Sequence, residues 1–321
     1  MVKSQIKNRF YRTVDLVGTL PEKAGFFYLS LGMQTVLITG GTGMVGQSLT
    51  NLLLAKGYQV IVLTRQIKQS SRAHFAYAQW DLSKGWIDPE AIAAADYIIH
   101  LAGEGVADKR WTAARKKAIL DSRVGTSTLI VKTLKAVPNK VKAVVAASAI
   151  GWYGPDTTKS VESGFVETDP YCPSYLGDTC KLWEESMHPI KALGIRLVTL
   201  RIGIVFNQKG GALAEFVKPA KLGVAAILGD GKQVVSWIHQ QDLNRMMLFA
   251  MEQEQLAGIY NAVAPDPVDN AKLTKAIAQR LHKYYILFKV PSMLLKIILG
   301  EMSVEVLKSA KVSAAKIIAA G

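Results

Sequence analysis

The apolar run Thr35-Val-Leu-Ile-Thr39 ends directly on Gly40-Gly41-Thr42-Gly43-Met44-Val45-Gly46, and a helical pattern from about Val45 to Lys56 follows at once. No other feature constrains the fold as tightly. The turn contains G-x-x-G-x-x-G (Gly40, Gly43, Gly46) and, offset by one, G-x-G-x-x-G (Gly41, Gly43, Gly46). Glycines permit positive φ in a tight turn, let the backbone come against a pyrophosphate, and let helix pack on strand without a Cβ between them. The helix N-terminus then offers free N–H groups and the positive end of its dipole to phosphates. A strand before, a helix after, and a second strand at Gln59-Val-Ile-Val-Leu-Thr64 supply the context that a lone glycine motif lacks. The expected function of Gly40 to Gly46 is to hold a dinucleotide.

The end of the second strand bears on which dinucleotide. Sites for NAD place an acidic residue ~20 positions on, where it holds the ribose 2′-hydroxyl. Arg65, 19 residues after Gly46, stands there instead. A guanidinium matches a 2′-phosphate in charge and in fork geometry. NADP(H) is therefore expected in preference to NAD.

Apolar runs then alternate with helical patterns, as in a parallel sheet wrapped by helices. Further strands are expected at Phe75–Trp80, Tyr97–Leu101, Val141–Ala147 and Arg196–Leu200, with helices over Thr112–Val137 and around Gly177–Leu193. After Gly203 the rhythm loosens, and Gly210-Gly211, Gly223 to Gly231 and Pro265-Asp-Pro267 read as loops of a smaller lobe. The fold class expected is α/β: a doubly wound Rossmann sheet over residues 33–205, then a C-terminal substrate lobe and helices over 206–321. Residues 1–32 read as an extension, with Met33 as the start of the fold.

Composition narrows the function. The 321 residues carry a net charge of +14, but the cations are scattered and accompany no nucleic-acid-binding pattern, so a small-molecule substrate is expected and specific nucleic-acid binding is not. Cys172 and Cys180 form no disulfide framework, which suits a reducing compartment such as the cytoplasm. The five histidines do not fall at zinc-ligand spacings, so no metal is expected. No apolar run reaches the ~18 residues of a membrane span. A homodimer is compatible with all of this.

Further segments carry a resemblance. Leu101-Ala-Gly-Glu104, Lys109-Arg-Trp111, Ser122-Arg123, Ser148-Ala-Ile-Gly-Trp-Tyr-Gly154, Cys180-Lys-Leu-Trp-Glu184, Gly210-Gly-Ala212, Ser236-Trp-Ile-His239 and Tyr260-Asn-Ala-Val-Ala-Pro265 stand beside the glycine turn. Together they resemble the epimerase-like family 39U of the atypical, extended short-chain dehydrogenases, from about Met33 to the C-terminus. The resemblance implies that Thr64 and Arg65 hold the adenosine phosphate and that Leu101, Ala102 and Gly103 line the dinucleotide. It also implies that Arg123 and the backbone near Val205 contact the cofactor. It further implies an aromatic segment and a last helix beyond Gly321, which this sequence does not contain.

Short-chain dehydrogenases pair a serine after the fifth strand with Tyr-x-x-x-Lys on the next helix, where a spacing of four puts both on one face and the cation lowers the phenol pKa. Ser148 occupies the serine's place, but Gly177 lies four residues before Lys181, and Tyr175 lies six before it, ~120° away around the helix. The usual acid/base pair is absent. Tyr153, five residues after Ser148, is the substitute phenol, and Ser148 with Tyr153 is the expected catalytic pair; each also has a packing alternative, a turn cap for Ser148 and a lobe wall beside Trp152 for Tyr153. His239 reads as a substrate contact and Asp242 as a helix cap. Two functions follow: an NADP(H)-dependent oxidoreductase or epimerase-like enzyme on a small polar carbonyl or sugar-like substrate, or an NADP-sensing, partner-binding protein without turnover.

Overall fold

A computed structural model describes residues 32–321 apart from 67, 208 and 209. The extension expected at 1–32 lies, up to residue 31, outside the described residues. The first half of the chain runs β1 (Thr35–Thr39), α1 (Met44–Ala55), β2 (Gln59–Thr64), β3 (Phe75–Asp81), β4 (Trp86–Ile87), α2 (Pro89–Ala94), β5 (Tyr97–His100), α3 (Ala113–Ala136) and β6 (Ala143–Ala149). Then come α4 (Thr158–Ser163), α5 (Tyr175–Met187), β7 (Arg196–Ile202), β8 (Ile204–Phe206), α6 (Ala212–Lys221), β9 (Val224–Leu228), β10 (Val234–Val235), β11 (Trp237–His239) and α7 (Gln240–Glu252). The remainder is β12 (Gly258–Ala262), β13 (Val268–Asp269), α8 (Asn270–Leu281), β14 (Ile286–Val290), α9 (Ser292–Leu299), α10 (Ser303–Leu307) and α11 (Ala315–Ala319).

One sheet organises the fold, in the order β12-β7-β6-β5-β1-β2-β3-β4. Its pairings are parallel except for the short β4. All five residues of β1 are buried, the mark of a strand covered on both faces. Successive side chains alternate between faces. Val36 and Ile38 therefore join α1 (Leu49, Leu53) and α7 (Leu243, Met247) on one side, while Leu37 joins α2 (Ile92) and α3 (Ile130, Leu134) on the other. Each fully buried aliphatic side chain of this kind stabilises the fold by about 1.5–3 kcal/mol. The doubly wound Rossmann fold follows from those two cores.

The sheet does not stop at residue 205. β12 pairs in parallel with β7, and α7 packs across β6 and α1, so the last strand and one covering helix return from beyond the loosened stretch. The smaller lobe consists of three two-stranded sheets, β8 with β11, β10 with β13, and β9 with β14, under α6 and α8. α3 runs unbroken through Gly125, opened by the Thr112 side chain, which accepts from Arg115 N–H.

Candidate functional site

The sheet changes direction between β1 and β5: strands on one side of that seam step leftward, those on the other rightward. Ligands of open α/β sheets bind beyond the carboxyl ends of the strands at such a switch point. Here those ends are Gly40, after β1, and Leu101, after β5, and both line a cavity of about 530 Å³.

The glycines divide the work of making that cavity. Gly40 has φ +69°, and a Cβ there would sit 2.8 Å from the Leu101 carbonyl. A Cβ on Gly41 would meet Val62 at 2.6 Å, and one on Gly46 would meet the Gly40 oxygen at 2.4 Å. These three let strand, helix and neighbouring loop close together. Gly43 differs: its Cβ would have only the Gly40 oxygen, at 3.3 Å, within reach, and the residue lines the cavity. It leaves the floor of the cavity open beside the start of α1. No side chain caps α1 and no acid lies in its first turn, so its N–H groups and dipole are left for an anion.

Thr39 fixes the opposite lip. Its hydroxyl oxygen accepts the N–H groups of Leu101 and Ala102, each at 3.1 Å, and lies 2.7 Å from His100 Nδ1. His100 Nε2 lies 3.1 Å from the Ser127 hydroxyl. A threonine that accepts twice donates its own proton to Nδ1, which leaves Nε2 to donate to Ser127 and the ring neutral. Burial agrees, lowering the His100 pKa to about 3.

At and beyond the carboxyl ends of β2 and β3, Thr64, Arg65, Gln66 and Lys68 line the same cavity beside Trp80 and Leu82. The Thr64 hydroxyl donates to the Gln66 carbonyl, and Gln79 donates to the Arg65 carbonyl. Lys68 lies 5.8 Å from the Tyr77 ring. Arg65 thus has a second cation beside it, three residues on, which the sequence reading passed over. Gly40, Thr42, Gly43, Thr64, Arg65, Leu101, Ala102 and Gly103 all line this cavity. Gly41, Met44, Val45, Gly46 and Val205 line neither this cavity nor the next. Met44 and Val45 are turned away, Val45 into the core and Met44 toward Gly210 and Gly211. Val205 pairs with Ile238, and its neighbour Ile204 reaches the second cavity.

That second cavity, about 280 Å³, lies beyond β6 and β7 and is bounded by Ile150, Gly203, Trp183, Arg123, Cys180 and, from the C-terminal lobe, Glu305 and Lys308. Arg123 reaches from this cavity toward the first: one nitrogen donates to the carbonyl of Glu104, which lines the first cavity, and to that of Ile119, each at 3.0 Å, and the guanidinium lies 5.0 Å from the Trp183 ring. Burial lowers the Arg123 pKa from its ordinary value. The Trp183 indole N–H is buried without a hydrogen-bond partner. Cys180 donates to the Ala149 carbonyl, and burial pushes its thiol up to about 12, so it is no nucleophile. Lys308 pairs with Glu305 at 2.6 Å and donates to the Tyr153 carbonyl at 3.1 Å. Among the described residues no three His, Cys, Asp or Glu side chains come together as a metal site, and no helix is long and apolar enough to cross a membrane.

Neither member of the expected catalytic pair reaches this space. Ser148 lies within β6, opposite Arg201, and its hydroxyl donates to Glu184 at 2.7 Å. Arg201 is 1 % exposed and grips Glu184 through Nε at 2.8 Å and a terminal nitrogen at 3.0 Å. It also donates to the Tyr153 hydroxyl at 3.1 Å and lies 3.7 Å from the Trp152 ring. Tyr153 is 0 % exposed, donates toward Asn261 at 2.8 Å and stacks on Phe165. Burial, resisted by Arg201, raises its phenol to about 12. Ser148 and Tyr153 are joined through Glu184 and then Arg201, not through a substrate space. Lys181 lies over the Tyr171 ring, and His239, not Asp242, caps α7 by accepting the Gln241 N–H. Asp242 instead pairs with Arg245 on the helix surface.

Comparison with known proteins sets this geometry in context. A profile described as the NAD dependent epimerase/dehydratase family matches residues 36–262. The epimerase family protein YfhF of Bacillus subtilis is 34% identical over 286 residues, covering 89% of this chain and 92% of its own. An epimerase family protein of Staphylococcus epidermidis is 33% identical over 90% of this chain and 94% of its own. Among solved structures, human epimerase family protein SDR39U1 (isoform 2) with NADPH superposes with a TM-score of 0.77 at 27% identity, over 89% of this chain and 93% of that one. The UDP-N-acetylglucosamine 4-epimerase of Bacillus cereus, at 18% identity and TM-score 0.68 over 88% of each chain, shares the fold.

Proposed function

This chain belongs to the NAD dependent epimerase/dehydratase family, and from that premise we propose that it is an NADPH-dependent oxidoreductase acting on a small polar carbonyl or sugar-like substrate. One observation carries the reading: an uncapped helix start with an open Gly43 floor, and the cations Arg65 and Lys68, line the same cavity. When bound, NADPH supplies the hydride. The residues of this chain do the rest. The first turn of α1 and Gly43 hold the pyrophosphate, Arg65 and Lys68 take the 2′-phosphate, and Leu101, Ala102 and Gly103 border the ribose. Arg123 stands where the two cavities adjoin, and the second cavity takes the reacting end with the substrate.

The proton needs a source in that second cavity. Ser148 and Tyr153 support its wall through Arg201 and Glu184, and Cys180 holds its proton too firmly. We assign the proton to Lys308, whose ammonium pairs with Glu305 at the cavity edge. A second reading, cofactor sensing without turnover, is favoured by one observation: Gly177 stands where the helix phenol of the wider family would be.

NADPH oxidation across a panel of carbonyl compounds separates the two. The enzymatic reading expects turnover that falls ~100-fold in Lys308→Met while NADPH affinity is kept, the usual size of a lost general acid. Tight NADPH binding with no turnover on any compound, and a partner recovered only when cofactor is present, would establish the sensor instead.

A further inference from the structure

From Asn270 to Gly300 the chain carries six Lys and Arg residues and no Asp or Glu. The same stretch leaves its apolar side chains in solvent: Ile286 is 70% exposed, Leu287 53% and Phe288 52% on β14, and Met293 76%, Ile297 66% and Ile298 55% on α9. Ten of the sixteen exposed large hydrophobic residues among those described fall between Leu281 and Val304, so they are concentrated in one short stretch of the chain and not scattered along it. Three consecutive exposed residues mean that both faces of β14 meet water, because strand side chains alternate. Among the described residues β14 pairs only with β9, which leaves its other edge unpaired there, and edge strands of this kind are normally blunted with charge or covered.

The charge pattern selects the occupant. A second copy docked on this face would set Lys289 and Lys296 against themselves, with no acid on β14 or α9 to answer them. The chain's own first 31 residues, with five Lys and Arg against two Asp and Glu, do not supply the missing negative charge. Nucleic acid would use the cations and could stack on Tyr284 and Phe288, but it gains little from the aliphatic majority of the exposed side chains, Ile286, Leu287, Met293, Ile297 and Ile298 among them. An acidic protein would seat its anchor side chains in pockets, and neither cavity described above is lined by a residue of β14 or α9. A lipid surface asks for no pocket. It accepts aliphatic side chains in its acyl boundary and lysines at its headgroups. We propose that β14 and α9 form an attachment surface for an anionic phospholipid bilayer.

The surface is held to the rest of the fold by the Lys116–Glu301 ion pair at 2.6 Å and by Arg110, which donates to the Ile297 carbonyl at 3.2 Å. It adjoins α10, whose Glu305 borders the second cavity. Attachment would therefore bring that cavity's edge close to the bilayer.

Flotation of the full chain with vesicles tests this, comparing phosphatidylcholine alone with phosphatidylcholine mixed with phosphatidylserine. The expected result is flotation with the mixed vesicles about tenfold or more above the neutral ones, reduced by high salt. Two variants, Phe288→Ser with Ile297→Ser and Lys289→Glu with Lys296→Glu, should each lower flotation about tenfold. Both alter exposed side chains, and unchanged NADPH binding would certify their fold. Failure to float with anionic vesicles overturns the proposal, as does flotation that neither variant changes. A salt-insensitive dimer that dissociates in the Phe288/Ile297 variant would give the face to a second copy and overturn it equally.

Discussion

His100 sits at the carboxyl end of β5 with no exposed surface, its ring shared between Thr39 and Ser127. Burial holds its folded pKa at about 3, against 6.5 for a free imidazole. The sign follows from that depression. Above about pH 6.5 neither state binds the proton, and the contribution of the neutral ring is fully present. As pH falls from 6.5 toward 3 the unfolded chain takes up a proton that the folded chain refuses, and stability drops by about 1.4 kcal/mol per pH unit. Denaturant melts of the wild type and His100→Gln across that window check this; the variant should lose one proton's worth of slope. A similar accounting applies to Glu184. Removing it in Glu184→Leu strands the buried Arg201 guanidinium and should cost about 3–5 kcal/mol, whereas Glu184→Leu with Arg201→Met should recover most of the loss. Equal losses in the single and double variants would show that Arg201 is not paired as drawn.

The strand–turn–helix unit formed by β1 and α1 separates fold from ligand within four residues. Gly46→Ala drives a methyl group to 2.4 Å from the Gly40 oxygen, so helix and strand must part; stability should fall by about 1–3 kcal/mol, with NADPH binding lost alongside. Gly43→Ala meets only one atom within 4 Å and should leave stability within about 1 kcal/mol while NADPH binding weakens at least tenfold. Thermal melts with and without NADPH measure both. This element was legible because its signals are local: the glycine spacing, the apolar strand and Arg65 all lie within thirty-one residues of one another. β12 was not legible as part of the same sheet. Gly258–Ala262 is short, lies beyond a loosened stretch, and is recruited by pairing with β7 some sixty residues earlier, a partnership without a local signature. The spacing argument likewise found Ser148 and Tyr153 but not what occupies them, since Glu184 and Arg201 come from α5 and β7.

At the scale of the whole molecule, part of the net charge of +14 is gathered in three places. Arg65 and Lys68 line the first cavity, Arg123 and Lys308 the second, and Lys289 and Lys296 stand among the exposed apolar side chains of β14 and α9. Composition alone had left that excess without a destination, because bulk charge says nothing of which side chains fold to one place. The fold brings part of it to three places, two cavities at the doubly wound sheet and one surface of the smaller lobe, and the first of these is central. Fluorescence titration with NADPH and NADH, on the wild type and on Arg65→Asp, tests it most directly. The account predicts NADPH bound about ten- to hundredfold tighter than NADH by the wild type, as expected for one or two charge-assisted hydrogen bonds to the 2′-phosphate, with that preference lost in Arg65→Asp. Equal affinities for the two nucleotides in the wild type, or binding of neither, would contradict it.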